Sequence, residues 1–336
     1  MIADAGKRYT LVPEETIPSK AKSVKSLTSF AKRSAQLAAG FVCAIALAAG
    51  VPTVAGAQVL TTDNVCGKTA DARGITAENL PDIDATNALV MGKDGTVYYG
   101  RGADEQVKIA SITKVMTAIL TVENCKMDEK VTVSNAAATV GNSTAGLLEG
   151  DELTVEQALR GLMIPSGNDA AIVLAEYVGK KIDPKTKDAE ATFVKAMNER
   201  AKKLGCTGTL FENPHGLDFD EWAGNMHSTA HDVALMMQEA MKNDTIREVV
   251  ASEDSWIEVT GADGTDHSHS MDTHNYLLGQ DGNIGGKTGT TSAAGNCLIL
   301  LARDTSGNPY IAVILKSAER GILYTEMNAL LKQATS

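Results

Sequence analysis

Basic charge is what this 336-residue chain is short of: 31 Lys and Arg stand against 42 Asp and Glu, for a formal net charge of −11. With the seven basic and three acidic residues of positions 1–57 set aside, 24 basic residues face 39 acidic ones, which argues against nucleic-acid binding. Cysteine is scarce too, with five in the whole chain and none at the spacing of a zinc site. Internal repeats, low-complexity tracts and a phosphate-binding glycine loop are missing, so fibrous, repeat and nucleotide-binding readings fall away. What is present is 43% hydrophobic and 22% charged, ordinary globular material with length enough for one large domain or two small ones.

The basic residues that do occur cluster early. Lys20, Lys22, Lys25, Lys32 and Arg33 precede an apolar stretch over residues 37–54, and Ala55-Gly56-Ala57 follows as an A-x-A cleavage signature. Residues 1–57 therefore read as a signal peptide or, if uncleaved, as an N-terminal membrane segment, because the stretch approaches the roughly 20 residues a membrane helix needs. Both versions place the remaining chain outside the cytoplasm, secreted or held at the cell surface or wall. Four cysteines then lie in a compartment that permits disulfides: Cys66, Cys125, Cys206 and Cys297. Cys297 opens the apolar run CLILLA and reads as a buried thiol; Cys125 and Cys206, each just past a predicted helix, are the better disulfide candidates.

Residues 58–85 read as a linker and 86–336 as one continuous domain. NALVMG and TVYYGR flank the turn Lys93-Asp94-Gly95, and CLILLAR and PYIAVILK flank residues 304–308, giving a hairpin near each end. Between them the period is helical, at Ile112, Val115, Met116 and Ile119, at Leu159, Leu162 and Met163, and at Phe193, Met197 and Leu204. Thr154 with Gln157 is a capping box, Pro165 ends that helix and Gly205 a later one. A last amphipathic helix over residues 322–331 can cover one sheet face. The expected class is α+β, an antiparallel sheet built from N- and C-terminal strands with a helical subdomain between.

Three short motifs carry chemistry. Ser111-Ile112-Thr113-Lys114 places a hydroxyl and an amine on one face of a helix start, and burial there can lower the amine's pKa until it serves as a base. By itself Ser-x-x-Lys is weak, since it recurs at Ser19–Lys22 and Ser29–Lys32; isolated, it reads as a solvated helix start. Ser166-Gly167-Asn168, held between apolar helices, can relay a proton and hydrogen-bond a substrate amide, although for the motif taken alone plain helix capping by Ser166 or Asn168 is the better reading. Lys287-Thr288-Gly289 occurs once. It offers a cation and a hydroxyl to a carboxylate, with no side chain at Gly289 to obstruct, against the plainer reading of an exposed edge-strand lysine. Their order and contexts favour one active site over three coincidences.

With ASITKVMTAIL, LTVEQALRGLMIPSGNDAAIVLAEYVG, FENPHGLD, HSTAHDVALM and GGKTGTTSAAGNCLI, the chain from about Ile83 to Ala318 resembles the D-alanyl-D-alanine carboxypeptidases, the low-molecular-mass penicillin-binding proteins of the S11 peptidase family. The resemblance implies a β-lactamase/transpeptidase-like fold and removal of the terminal D-alanine from peptidoglycan stem peptides through an acyl-enzyme. It makes Ser111 the nucleophile, Lys114 its base and Ser166 a proton relay. Asn168, Lys287, Thr288, Gly289 and Thr290 become the substrate-binding residues, with the backbone N–H groups of Ser111 and Thr290 as oxyanion hole. β-Lactam antibiotics are the implied covalent inhibitors, and no cofactor or metal is expected. The family often has an aromatic residue or histidine where Thr290 stands, so substrate preference is what the resemblance sets least. Many relatives add a β-rich domain and a C-terminal amphipathic anchor; here membrane attachment is expected only through an uncleaved N-terminal segment.

Two rival readings remain. A class A-like β-lactamase would use a glutamate-bearing loop, for which Glu221 is the candidate; a catalytically idle wall-binding or signalling homologue would not need all five of Ser111, Lys114, Ser166, Asn168 and Lys287. His267, His269 and His274 fall in a polar stretch expected to be a surface loop without metal, and His215 is expected to order a loop.

Overall fold

The computed structural model describes residues 63–74, 79–253 and 255–335. The expected targeting segment, residues 1–57, lies outside them. Both hairpins form, as β3 (Asn87–Gly92) with β4 (Val97–Arg101) and β10 (Gly295–Arg303) with β11 (Pro309–Ser317), and they are joined side by side by antiparallel pairing of β3 with β11. The strand β9 (Asn283–Thr291) closes one edge by pairing with β10. At the other edge, short strands β1 (Asn64–Val65) and β2 (Lys68–Thr69) lead into a four-residue helix α1 (Ala70–Arg73). The order is β2-β1-β4-β3-β11-β10-β9. Part of the stretch expected as linker therefore belongs to the sheet: Val65 pairs with Tyr99, and Asp63 is buried against Arg101 at 2.9 Å.

The strands read as unbroken apolar runs because both faces of this sheet are covered. Along β11, Ile311, Val313 and Leu315 enter the core under the helices, whereas Tyr310, Ala312 and Ile314 enter a second core on the opposite face. The same alternation divides Leu89 and Met91 from Ala88 and Val90 on β3, the period-2 consequence of the pleat. The second core is closed by the C-terminal helix, Arg320–Thr335, through Leu323, Met327, Leu330 and Leu331. That helix covers a sheet face as expected and extends beyond the anticipated 322–331.

Between the hairpins lies the helical layer. Its axis is α2 (Lys114–Asn124), in which every residue from Lys114 to Thr121 is buried, packed by α4 (Val155–Met163), α5 (Asn168–Ile182), α6 (Ala189–Leu204) and α7 (Ala230–Ala240). The capping box at α4 is complete: Thr154 Oγ1 accepts from the Gln157 N–H at 3.1 Å, and Gln157 Oε1 accepts from the Thr154 N–H at 2.7 Å, a device contributing about 1 kcal/mol. Gly205 ends α6 with φ +84°, the left-handed cap that glycine adopts without penalty. Short helices α3 (Asn135–Thr139) and α8 (Asp244–Val250) complete the layer.

A second sheet, absent from the sequence reading, joins β5 (Lys130–Thr132), β6 (Glu152–Thr154), β7 (Ser255–Thr260) and β8 (Asp266–Met271) in that order. It corrects the placement of His267 and His269, which lie on β8 and not in a surface loop. The disulfide expectation is corrected too: Cys66, Cys125, Cys206 and Cys297 are all free thiols. Cys206 is buried with Sγ 3.6 Å from the Asp232 carbonyl oxygen, and burial pushes its thiol up to about 12. Cys125 is half-buried and pushed by burial up to about 11. Cys297 is a buried thiol, as its apolar run implied.

Candidate active site

Ser111 does not begin an α-helix directly. It sits in a 3-10 turn, Ala110–Thr113, that feeds into α2 at Lys114, and Ala110 adopts φ +46°, a left-handed conformation uncommon for a residue with a side chain. The turn is pinned by two glycines from distant segments. A Cβ on Gly216 would fall 2.0 Å from the Ala110 carbonyl oxygen, and one on Gly289 would fall 2.9 Å from the Ser111 nitrogen. Only residues without side chains let the loop before α7 and the edge strand β9 approach the serine's backbone this closely.

Lys114 is wholly buried, and its Nζ lies 2.8 Å from each of three atoms: Ser111 Oγ, Asn168 Oδ1 and the His215 carbonyl oxygen. Burial, and then the nearby Lys287 charge, hold its pKa well below the ordinary lysine value. A neutral amine has two N–H donors and one lone pair. As a neutral amine, Lys114 can donate to the amide and the peptide carbonyl and turn its lone pair to the serine O–H.

Ser166 and Asn168 are not helix caps. Gly167 is the N-cap of α5, Asn168 is its first residue, and neither neighbouring side chain caps the helix. Ser166 is buried at φ +65° and its Oγ accepts from Lys287 Nζ at 2.8 Å. Asn168 is tied on both ends, its Nδ2 donating to the Gly141 carbonyl at 3.0 Å while Oδ1 accepts from Lys114. Its neighbour Asp169 accepts the N–H groups of Ala145 and Leu147, anchoring the loop before α4.

Lys287 is buried to 2% exposure, so the exposed edge-lysine reading is corrected. Its Nζ donates to Ser166 Oγ and to the Thr288 carbonyl at 2.7 Å, and burial lowers its pKa to about 7. Thr288 is 8% exposed, and Thr290 stands exposed with Oγ1 3.2 Å from Asn296 Oδ1. The three motifs, 55 and 121 residues apart in sequence by their serines and lysine, thus meet through direct hydrogen bonds: Lys114 with Ser111 and Asn168, and Lys287 with Ser166.

The family model for D-alanyl-D-alanine carboxypeptidase peptidases of family S11 matches residues 74–319. The chain belongs to this family. The D-alanyl-D-alanine carboxypeptidase DacF of Bacillus subtilis is 34% identical over 255 residues, covering 73% of this chain and 61% of that protein. The D-alanyl-D-alanine carboxypeptidase of a Streptomyces species, strain K15, is 34% identical over 275 residues, covering 78% of this chain and 91% of its own length. Among solved structures, the Streptomyces K15 DD-transpeptidase superposes with a TM-score of 0.69 at 31% identity, over 76% of this chain and 98% of that one. The chain therefore spans about three fifths of the Bacillus relative and nearly all of the Streptomyces one.

Within this D-alanyl-D-alanine carboxypeptidase family member, Glu221 is exposed in a short turn, Asp220–Trp222, as expected of a loop carboxylate. His215 is fully buried; its Nδ1 accepts from the Leu217 N–H at 3.1 Å, its ring meets Trp222 edge-on, and burial followed by the Lys114 charge lowers its pKa to about 3. Its carbonyl on Lys114 escaped the sequence reading because a backbone acceptor leaves no signature in residue type. The same holds for Gly141 behind Asn168. Among the described residues, the cluster with metal-ligand spacing is Asp151, His267 and His269, none of which bonds to these motif side chains.

Proposed function

We propose that this protein is a serine-type D-alanyl-D-alanine carboxypeptidase that removes the terminal D-alanine from peptidoglycan stem peptides, with residues 86–336 as its catalytic domain. The observation that carries the reading is the three-partner setting of Lys114, which suits a neutral amine facing a serine hydroxyl. Lys114 Nζ takes the Ser111 proton as Oγ attacks the carbonyl carbon of the penultimate residue. The oxyanion is received by the N–H groups of Ser111 and Thr290. As the peptide C–N bond breaks, the proton taken up by Lys114 passes to the leaving amine by way of Ser166, which bonds Lys287. This leaves Lys114 neutral to accept a proton from the water that follows. Water then attacks the Ser111 ester, returning the hydroxyl and releasing the shortened peptide.

Lys287 and Thr288 hold the substrate's free carboxylate, and Gly289 leaves room for it along the strand. A lysine with a pKa near 7 gains its proton firmly when that carboxylate arrives. In a β-lactam the broken C–N bond is part of a ring, so the leaving amine stays attached and the ester persists. The N-terminal segment exports the chain, placing the enzyme in the wall compartment where its substrate lies.

The test is D-alanine release from a diacylated D-Ala-D-Ala peptide, with and without an amine acceptor, alongside intact-mass detection of a penicillin adduct on wild type and Ser111→Ala. Release and a persistent adduct on wild type, both lost in Ser111→Ala, are the expected results. An adduct on Ser111→Ala removes the assigned nucleophile; rapid penicillin turnover favours a β-lactamase; no release by folded protein favours an idle homologue.

A further inference from the structure

Residues two apart on a strand face the same side, and on β8 this directs both His267 and His269 toward the loop that ends at Asp151. Asp151 is 1% exposed, and its Oδ2 accepts the Leu148 N–H at 2.8 Å. The same oxygen lies 3.4 Å from His267 Nε2 and 3.8 Å from His269 Nε2, and the two rings meet edge-on with centroids 4.9 Å apart. Both Nε2 atoms are buried and neither makes a hydrogen bond. Two imidazole nitrogens converge on one buried carboxylate oxygen at ion-pair distance with no well-formed hydrogen bond, an arrangement that a shared cation would satisfy.

We propose that Asp151, His267 and His269 form a zinc-binding site. One ligand atom from each residue lies within 4.8 Å of the other two, and small side-chain rotations bring them to the roughly 2.0–2.2 Å that zinc requires. Two imidazoles and a carboxylate select a borderline transition cation over magnesium or calcium. The His267 side chain is 32% exposed, which leaves a path for the ion and a fourth position for water.

The site's effect is mechanical. Asp151 closes the loop from which the Gly141 and Ser143 carbonyls hold Asn168, and from which Ala145 and Leu147 donate to Asp169. A Cβ on Gly146 would sit 3.0 Å from His269 Nδ1, so that imidazole already rests on the loop. An ion here fastens the second sheet to the segment that fixes Asn168, and supplies no step of the acyl transfer.

The test uses the full chain, stripped with chelator and dialysed against zinc chloride, with bound metal measured by mass spectrometry and melting temperature followed in parallel. One zinc per chain is expected at micromolar free metal, with none taken from equal magnesium or calcium. Binding stays intact in Ser111→Ala and His274→Gln, and weakens at least about tenfold in His267→Gln and in His269→Gln. Zinc raises the melting temperature of wild type and not of His267→Gln. Failure of the wild type to bind one equivalent, or binding by both histidine variants as tight as that of the wild type, overturns the site. Should His269→Gln lose its far-UV signal, the more exposed His267→Gln decides.

Discussion

The two buried lysines of the cleft are the same side chain in two surroundings. Lys114 comes from the helical layer and has three hydrogen-bond partners; Lys287 comes from the edge of the sheet and has two. Burial lowers both, to about 7 for Lys287, and the Lys287 charge adds to the lowering of Lys114. Two buried cations this close disfavour each other's charge, so the loss of a proton by one lets the other keep its own more firmly. In the proposed reaction one lysine accepts a proton while the other holds an anion, without any change of residue type.

The most damaging way to break that difference is Lys114→Arg, which retains charge but cannot deprotonate. D-alanine release and penicillin acylation are expected to fall roughly 10³-fold with the fold intact by circular dichroism; retention of more than about a tenth of the activity would remove Lys114 as the base. Lys287→Gln is expected to act mostly on KM, lowering kcat/KM about 10- to 100-fold, the worth of a charge-assisted hydrogen bond of roughly 1.5–3 kcal/mol. Because Lys287 helps depress Lys114, the same variant raises the Lys114 pKa, and the acid limb of the pH profile moves to higher pH. An acid limb left in place would show the two lysines to be independent.

In the wild type, kcat/KM is expected to fall at low pH as Lys114 takes a proton, and to fall again above about pH 7 as Lys287 loses one in the free enzyme. A substrate analogue with its terminal carboxylate amidated should lack the alkaline limb. The smallest effect is expected from Thr290→Ala, whose side chain is exposed: penicillin acylation changes by less than about threefold, while the ranking of stem peptides shifts.

Much of this was legible in the chain. The hairpins announced themselves through apolar runs around Lys93-Asp94-Gly95 and residues 304–308, and the capping box at Thr154 marked α4. The motif residues were identifiable because their chemistry demands specific side chains. What escaped depends on the backbone or on distance. No local pattern requires Ala110 to be left-handed; that conformation is imposed by Gly216 and Gly289, more than 100 residues away. The strand DHSHSM carries no apolar alternation, and its partner Asp151 lies 116 residues before His267, so a loop was the natural reading. Cys125 and Cys206 shared a plausible location past helix ends, yet location along the chain says nothing of whether two thiols meet.

The pinning of Ser111 between Gly216 and Gly289 also bears on time. A polypeptide is made and exported from its N-terminus, so the serine exists long before the strand that seats it. Gly289 follows Ser111 by 178 residues, so that whole stretch must be delivered before the turn has its second wall. Until then the Ser111 turn lacks the strand that packs against its backbone.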